Sequence, residues 1–350
     1  MIPRLAQVEP AQGRYLAFLE TLGQQGFQGE IRSDYGTRLV QSTDNSIYQI
    51  LPQAAVFPIN KSDLKILLKL AAHEKYRDIR FAPRGGGTGT NGQSLTDGII
   101  IDCSRHMNDI RELNLEQRWV KVGPGVVLDQ LNDFLRPYGV FFAPNLSPSS
   151  RATLGGMINT DACGKGSRVY GRTSDHLLEL SCLLSNGEEL HSVPLNPKEL
   201  ADWKEASGRT GDVYRVVDEI VCRQAELIEE VFPKMSRFMT GYNLARIYSN
   251  DHRPIFNLNY LLAGSEGTLA LVHEAKLRLT PLPTFQELIV VKYESFDDAL
   301  RAAGILVQSD PTAIETVDEK ILGLAREDEI YHKVKDFVAD EGSRPTRTIN

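Results

Sequence analysis

The 350 residues are 41% hydrophobic and 24% charged, an ordinary globular composition with length for about two domains. The formal net charge of −7 offers no basic stripe for nucleic acid. No run approaches the roughly 18 apolar residues of a membrane span, and Met1-Ile2-Pro3-Arg4-Leu5-Ala6-Gln7 lacks the apolar core of a signal peptide. Cys103, Cys163, Cys182 and Cys222 are scattered without a C-x-x-C pair, and the seven histidines show no H-x-H or H-x-x-x-H spacing. That usage fits a reducing cytoplasm with neither a disulfide framework nor a local metal site.

Residues 14–26 predict an amphipathic helix and Ala55-Val56-Phe57-Pro58 a strand. Leu64, Leu67, Leu68 and Ala71 then recur at i, i+3, i+4, i+7, a helical stripe, with Asn60 and Asp63 supplying cap-type side chains at its start. A strand over 78–82 leads into Pro83-Arg84-Gly85-Gly86-Gly87-Thr88-Gly89-Thr90-Asn91-Gly92-Gln93-Ser94, and Gly98-Ile99-Ile100-Ile101-Asp102 leads out as another strand. Consecutive N–H groups in such a loop form a concave nest that binds anions, so a phosphate-bearing ligand is expected. Gly87 to Gly92 satisfies G-x-G-x-x-G, but a strand follows where the dinucleotide fingerprint needs a helix. Gly87 to Ser94 has P-loop spacing, but Gln93 stands in place of the lysine. A tight glycine turn without a ligand is the bland alternative.

Trp119-Val120-Lys121-Val122 alternates as a strand, Gly123-Pro124-Gly125 turns the chain, and Leu128, Leu131 and Leu135 mark a helix to about Tyr138. Ala143 to Asp175 is too long for a plain turn, and its threaded apolar residues predict an ordered functional loop. Strands over 177–185 and 188–193 flank Asn186-Gly187, a hairpin signal. A long helix is expected over 212–230, then a polar stretch from Ser236 to Asn259, a glycine-containing turn at 261–268 and a strand over 269–279. The character changes at Pro281-Leu282-Pro283, the expected domain boundary. Strand 287–293, helix 296–308 with a Ser295/Asp298 capping box, strand 312–317 and helices to about 339 make half of a split βαβ sandwich. With the tail Gly342 to Asn350, this reads as the N-terminal part of a longer protein.

Four segments in order, Pro83 to Thr88, Leu154-Gly155-Gly156-Met157-Ile158-Asn159-Thr160-Asp161-Ala162-Cys163-Gly164, Tyr170-Gly171 with Asp175, and Gly264-Ser265-Glu266-Gly267-Thr268-Leu269, resemble the FAD-linked oxidase family with the vanillyl-alcohol-oxidase-type (PCMH) flavin domain. Thr240-Gly241-Tyr242-Asn243-Leu244 and Ala313-Ile314-Glu315-Thr316-Val317-Asp318 look like its 2-hydroxyacid dehydrogenases, in particular the large bacterial D-2-hydroxyglutarate dehydrogenases that carry an iron–sulfur region. The resemblance implies an α+β fold: an N-terminal helical extension over 1–44, a two-subdomain PCMH-type FAD-binding domain over 45–280, and the start of a ferredoxin-like cap domain over 281–350.

It further implies that Pro83, Arg84, Gly85, Gly86, Gly87, Thr88, Gly89, Thr90 and Asn91 wrap the FAD pyrophosphate. Leu154, Gly155, Gly156, Asn159, Thr160, Gly164, Tyr170 and Gly171 would wall the flavin and ribityl chain, and Glu266 and Gly267 would approach the adenosine side or ribityl region. Gly85-Gly86 stand where some members tether FAD through a histidine, so the cofactor is expected to be dissociable. Cys163 is expected to pack and His176 to be structural, while Tyr242, Asn243 and Arg246 are candidates for the substrate side. The implied reaction is oxidation of a D-2-hydroxyacid, with electrons passed to an acceptor or 4Fe-4S cluster outside this chain, and a catalytic base and metal ligands expected beyond Asn350. A D-lactate or glycolate dehydrogenase flavin domain, a non-catalytic FAD-binding module and an NADPH-linked flavin reductase are the alternatives; a homo-oligomer is compatible with each.

Overall fold

A computed structural model describes residues 10–235, 241–249, 254–338 and 348–349. They fall into two compact units, one within Met1–Gly164 and Gly171–Leu282, the other within Lys165–Tyr170 and Pro283–Asn350. Thr240 and most of the tail from Gly342 lie outside the described residues.

The first unit contains two sheets. Strands β1 (Glu30–Arg32), β2 (Ala54–Phe57), β3 (Phe81–Arg84) and β4 (Ile99–Asp102) form one in the order β1-β2-β4-β3, with β4 parallel to both neighbours. Helices α1 (Gly13–Gln24), α2 (Tyr35–Val40) and α3 (Lys61–Ala71) accompany this sheet. Side chains alternate across a strand, so Ile99 and Ile101 of β4 face a core shared with α1 and α3. Ile100 joins Ala55, Phe57 and Ala82 on the other face. Tyr15, Phe18 and Leu22 of α1 meet Leu64 and Leu67 of α3, each worth about 2 kcal/mol of burial. As expected, α3 starts on its cap: Asn60 Oδ1 accepts from Asp63 N–H at 3.0 Å. The buried Asp63 carboxylate in turn accepts from Ile59 and Gln28 N–H groups, which ties the strand ends to the helix.

Strands β5 (Ile110–Asn114), β6 (Trp119–Val122), β8 (Leu177–Leu183), β9 (Glu189–Ser192) and β10 (Leu271–Arg278) form the second sheet, antiparallel, in the order β5-β6-β10-β8-β9. The short pair β7 (Val140–Phe141) and β11 (Thr280–Pro281) stands apart. Leu128, Leu131 and Leu135 of α4 (Leu128–Leu135) and Met157 and Ile158 of α5 (Leu154–Asn159) pack into this sheet's core. The expected hairpin at Asn186-Gly187 joins β8 to β9, with Gly187 at φ +79°.

Several expectations shift. The long helix is two, Gly208–Arg223 and Ala225–Val231, because Gln224 leaves helical geometry between them. The stretch 143–175 holds α5, which two glycines disguise as loop. Pro197–Lys204, with Asn196 and Glu199 as a capping box, is a helix the polar sequence hides.

In the second unit, Ser295 caps the helix Phe296–Leu306 by accepting from Asp298 N–H, one half of the expected capping box, and Asp318 caps Glu319–Arg326. The strand expected over 287–293 shrinks to Lys292–Tyr293, paired antiparallel with Thr348–Ile349. Residues 312–317 form no continuous strand; only Val317 stands in an isolated bridge.

Candidate functional site

Strand β3 ends at Arg84, and the chain crosses to β4 through the glycine loop. Among the described residues, none of the N–H groups of residues 85–90 donates to a protein acceptor. Six consecutive donors therefore have no protein partner among the described residues, a pattern an anion nest requires.

The loop lies directly on the second glycine segment. A Cβ on Gly85 would fall 2.0 Å from Thr153 Oγ1, and one on Gly86 would fall 2.0 Å from the Arg151 carbonyl oxygen. Thr153 caps α5, whose first turn is pinned to the turn after β6: Leu154 and Gly155 N–H groups donate to Val126 and Pro124 carbonyls, both at 2.8 Å. A third segment closes on the same place. Glu266 N–H donates to the Asn159 carbonyl at 2.8 Å, and Gly267 N–H to Asn159 Oδ1 at 2.9 Å. Gly267 holds φ +76° against Pro83, with room for no Cβ (2.2 Å to Pro83 Cγ). Three backbone segments distant in sequence thus enclose one cleft of about 450 Å³, within the usual size of a cofactor site.

The cleft's polar lining joins the loop amides to side chains such as Thr88, Asn159, Thr160 and Glu266. Arg84 lines it, yet its guanidinium is already engaged: Nη2 donates to the Thr43 carbonyl at 2.6 Å and Nη1 to Ser94 Oγ at 3.3 Å. Burial pulls this guanidinium below its ordinary value, opposed by Asp102 and Asp44. Cys103 lines the floor, where burial pushes its thiol up to about 12, so it packs as an inert thiol. All four cysteines are free.

Residues 52–192 match the family described as FAD binding domain. They form an FAD binding domain. The D-2-hydroxyglutarate dehydrogenase of Pseudomonas putida is 52% identical over 350 residues, covering 100% of this chain and 34% of its own length. The D-2-hydroxyglutarate dehydrogenase of Escherichia coli is 51% identical over 97% of this chain and 33% of its own length. The chain thus spans about a third of the length of these curated relatives. In fold it is similar to a solved alkyldihydroxyacetonephosphate synthase, with TM-score 0.68, 18% identity, and coverage of 99% of this chain and 57% of that one.

The cleft of the FAD binding domain gathers Pro83 to Asn91, Gly155, Gly156, Asn159, Thr160, Gly164 and Glu266 of the residues singled out in the sequence. It does not gather Leu154, which is wholly buried in the core beneath, nor Gly267, which buttresses Pro83 from behind. Gly171 does not line it either; a Cβ there would meet the Asp175 carboxylate at 2.4 Å, and Tyr170 belongs to the second compact unit. Cys163 lines the cleft without any cysteine partner. His176 is buried edge-on to Phe142, centroids 5.6 Å apart, as a structural histidine.

Sequence reading missed Leu146, Ser147 and Pro148 on one wall and Ala270, Leu271 and Val272 on another. No local signal marks them; strand pairing and the α5 contacts alone bring them there. It also missed a buried ion pair behind the wall. Arg172 Nε lies 3.1 Å from Asp161 Oδ2, Ser174 N–H donates to Asp161 Oδ1, and Asp161 itself holds φ +44°. Asp175 accepts from Arg172 N–H and pairs with Arg246 at 2.7 Å, whose guanidinium stacks on Tyr260. Tyr242 OH meets Thr268 Oγ1 at 2.7 Å, and the buried Asn243 amide has no hydrogen-bond partner among the described residues.

Proposed function

We propose that the chain is the flavin-holding part of a dehydrogenase that oxidises a D-2-hydroxyacid, D-2-hydroxyglutarate to 2-oxoglutarate being the favoured pair. The observation that carries the reading is the enclosure of one cleft by three glycine-bearing segments, with six donors of residues 85–90 turned to no protein acceptor. The similarity to D-2-hydroxyglutarate dehydrogenases along the whole chain supports the substrate class. On this reading residues 1–44 are an N-terminal extension, 45–280 the FAD-binding domain and 281–350 the start of a cap domain.

The residues fit FAD. A pyrophosphate needs donors and close backbone approach, and the Gly85–Thr90 amides offer both without a free cation. Gly155 and Gly164 let the main chain press against Pro124 and Asn145, so that backbone lines this side of the cleft. The Glu266 carboxylate, at the mouth of the third turn, accepts from ribose or ribityl hydroxyls. When bound, FAD supplies the acceptor for the α-hydrogen of the hydroxyacid. This chain's part is to hold the ring at a fixed depth and keep solvent from its buried face. Gly85-Gly86 offer no nucleophile for a covalent tether, so binding is reversible.

The base that takes the hydroxyl proton and any iron–sulfur cluster are assigned to the part of the relatives' length that this chain does not span. No helix of the described residues is long and apolar enough to cross a membrane. The scattered cysteines support a cytoplasmic enzyme, and the net charge of −7 supports one without nucleic-acid partners.

The test has two arms. Titration of the purified protein with FAD should quench flavin fluorescence to a one-to-one endpoint; absence of binding sinks the reading. D-2-hydroxyglutarate should then bleach the flavin of a chain as long as the curated relatives. Bleaching by D-lactate or glycolate instead reassigns the substrate, and bleaching by none reduces the protein to a binding module.

A further inference from the structure

We propose that residues 41–49, upstream of the matched residues 52–192, form a strap that holds the glycine loop in its ligand-ready shape, with Arg84 as the positioning residue that fastens it. The inference rests on the flavin reading above and adds a part to that site.

The strap is built as a closed hairpin. At its base, Gln41 and Ser42 are buried; Gln41 Nε2 donates to Asp102 Oδ2 at 2.9 Å, and the Ser42 carbonyl accepts from Ile50 N–H at 2.9 Å. Thr43 and Gln49 pair across it as an antiparallel bridge. Toward the tip, Asp44 Oδ1 accepts from Ser46 N–H at 2.8 Å, which folds the turn.

Both ends of the glycine loop are tied to this hairpin. Arg84 opens the loop and donates to the Thr43 carbonyl; Ser94 closes it and donates to Asp44 Oδ2 at 3.3 Å. The Arg84 fork spans the two ties, since its second nitrogen reaches Ser94 Oγ. The loop backbone lies over that guanidinium, so that a Cβ on Gly87 would fall 2.5 Å from Arg84 Nη2. Further along, Gly92 rests against the Tyr48 ring, with 2.9 Å between its missing Cβ and Tyr48 Cδ2.

Such ties answer a specific problem. Six successive amides without protein acceptors leave residues 85–90 no backbone hydrogen bonds of their own to donate, and fixing each residue costs about 1–2 kcal/mol of backbone entropy. Contacts from outside the loop must meet that cost before the ligand arrives, or binding meets it. An arginine can do so at two acceptors at once; a lysine has no such fork.

The experiment uses Asp44→Ala, whose site lies outside the cleft lining, with Asp44→Asn as the conservative variant. In flavin-free protein, Asp44→Ala should raise amide exchange in residues 41–50 and in residues 85–91 together, while Asp44→Asn restores both. FAD should leave Asp44→Ala about tenfold faster than wild type, with Arg84→Lys changed in the same direction and the thermal midpoint of the flavin-free protein nearly unmoved. Unchanged exchange in residues 85–91 overturns the proposal, and so does unchanged FAD release when the strap is loosened. Failure of wild-type protein to take up FAD removes the flavin reading instead, and the exchange coupling between the two segments still decides the strap.

Discussion

Gly267 N–H donates to Asn159 Oδ1 at 2.9 Å across 108 residues of sequence. The same side chain sends Nδ2 to the Gly155 carbonyl at 2.8 Å, and the Asn159 carbonyl takes Glu266 N–H. One amide residue therefore locks the α5 segment to the turn that carries Glu266. An asparagine suits the position because it is donor and acceptor at once.

Removing that side chain should separate the two segments. Asn159→Ala loses two hydrogen bonds, about 2 kcal/mol together at roughly 1 kcal/mol each. Asn159→Asp keeps the acceptor for Gly267 but turns a carboxylate oxygen on the Gly155 carbonyl, so it gives no rescue. Urea unfolding should place both variants below wild type, with FAD affinity lowered in both. Equal affinity in all three would show that the turn at Glu266 plays no part in the cofactor site.

Gly86→Ala tests the contact between the first two glycine segments. Its Cβ would lie 2.0 Å from the Arg151 carbonyl oxygen, a backbone atom that cannot rotate away. The loop must shift, at about 1–3 kcal/mol of stability. Circular dichroism should stay native, while FAD titration should show affinity lowered at least tenfold. Retained affinity would mean that the loop can move off Arg151 without losing its donors.

What the sequence reveals here depends on range. The glycine loop between two strands is legible because residues 78–102 carry both the apolar runs and the turn chemistry locally. The caps at Asn60 and Ser295 and the Asn186-Gly187 hairpin are local too, and they form as read. Helix α5 is not legible: Leu154-Gly155-Gly156 has poor helix propensity and is held by Val126 and Pro124 carbonyls from another element. The strap escapes for the same reason, since Arg84 reads as a phosphate ligand until Thr43 is seen beneath it. Gly171 carries the motif, yet Asp175 is what a side chain there would face.

The Asp161–Arg172 pair behind the cleft wall should be far more sensitive than any surface pair. Both residues are buried, and stripping one partner leaves an uncompensated charge, which costs about 3–5 kcal/mol. Arg172→Ala should lose that much by urea unfolding. Asp161→Asn should lose less, because asparagine tolerates the left-handed backbone at φ +44° and still accepts from Ser174 N–H. Neither loss should respond much to salt, as screening acts weakly on buried charges. A salt-dependent loss of under 1 kcal/mol for Arg172→Ala would contradict the pair's buried role.

His273 sets an acid limit on stability. It is the extra residue of a bulge in β10, between Val272 and Glu274, and it is buried. Burial, helped by Lys61 and Arg111 and opposed by Glu274 and Glu189, lowers its pKa from 6.5 to about 4. As pH falls below 6.5 the unfolded chain takes up the proton and the folded one refuses it, so unfolding binds protons. Stability is therefore full above pH 6.5, declines between 6.5 and about 4, and gains no further slope from this group below that. The full loss is about 3 kcal/mol for a shift of this size. His273→Gln should flatten that part of the profile, measured as the difference in unfolding free energy between pH 7.5 and 4.5. An unchanged difference would mean that other groups, not His273, carry the acid sensitivity.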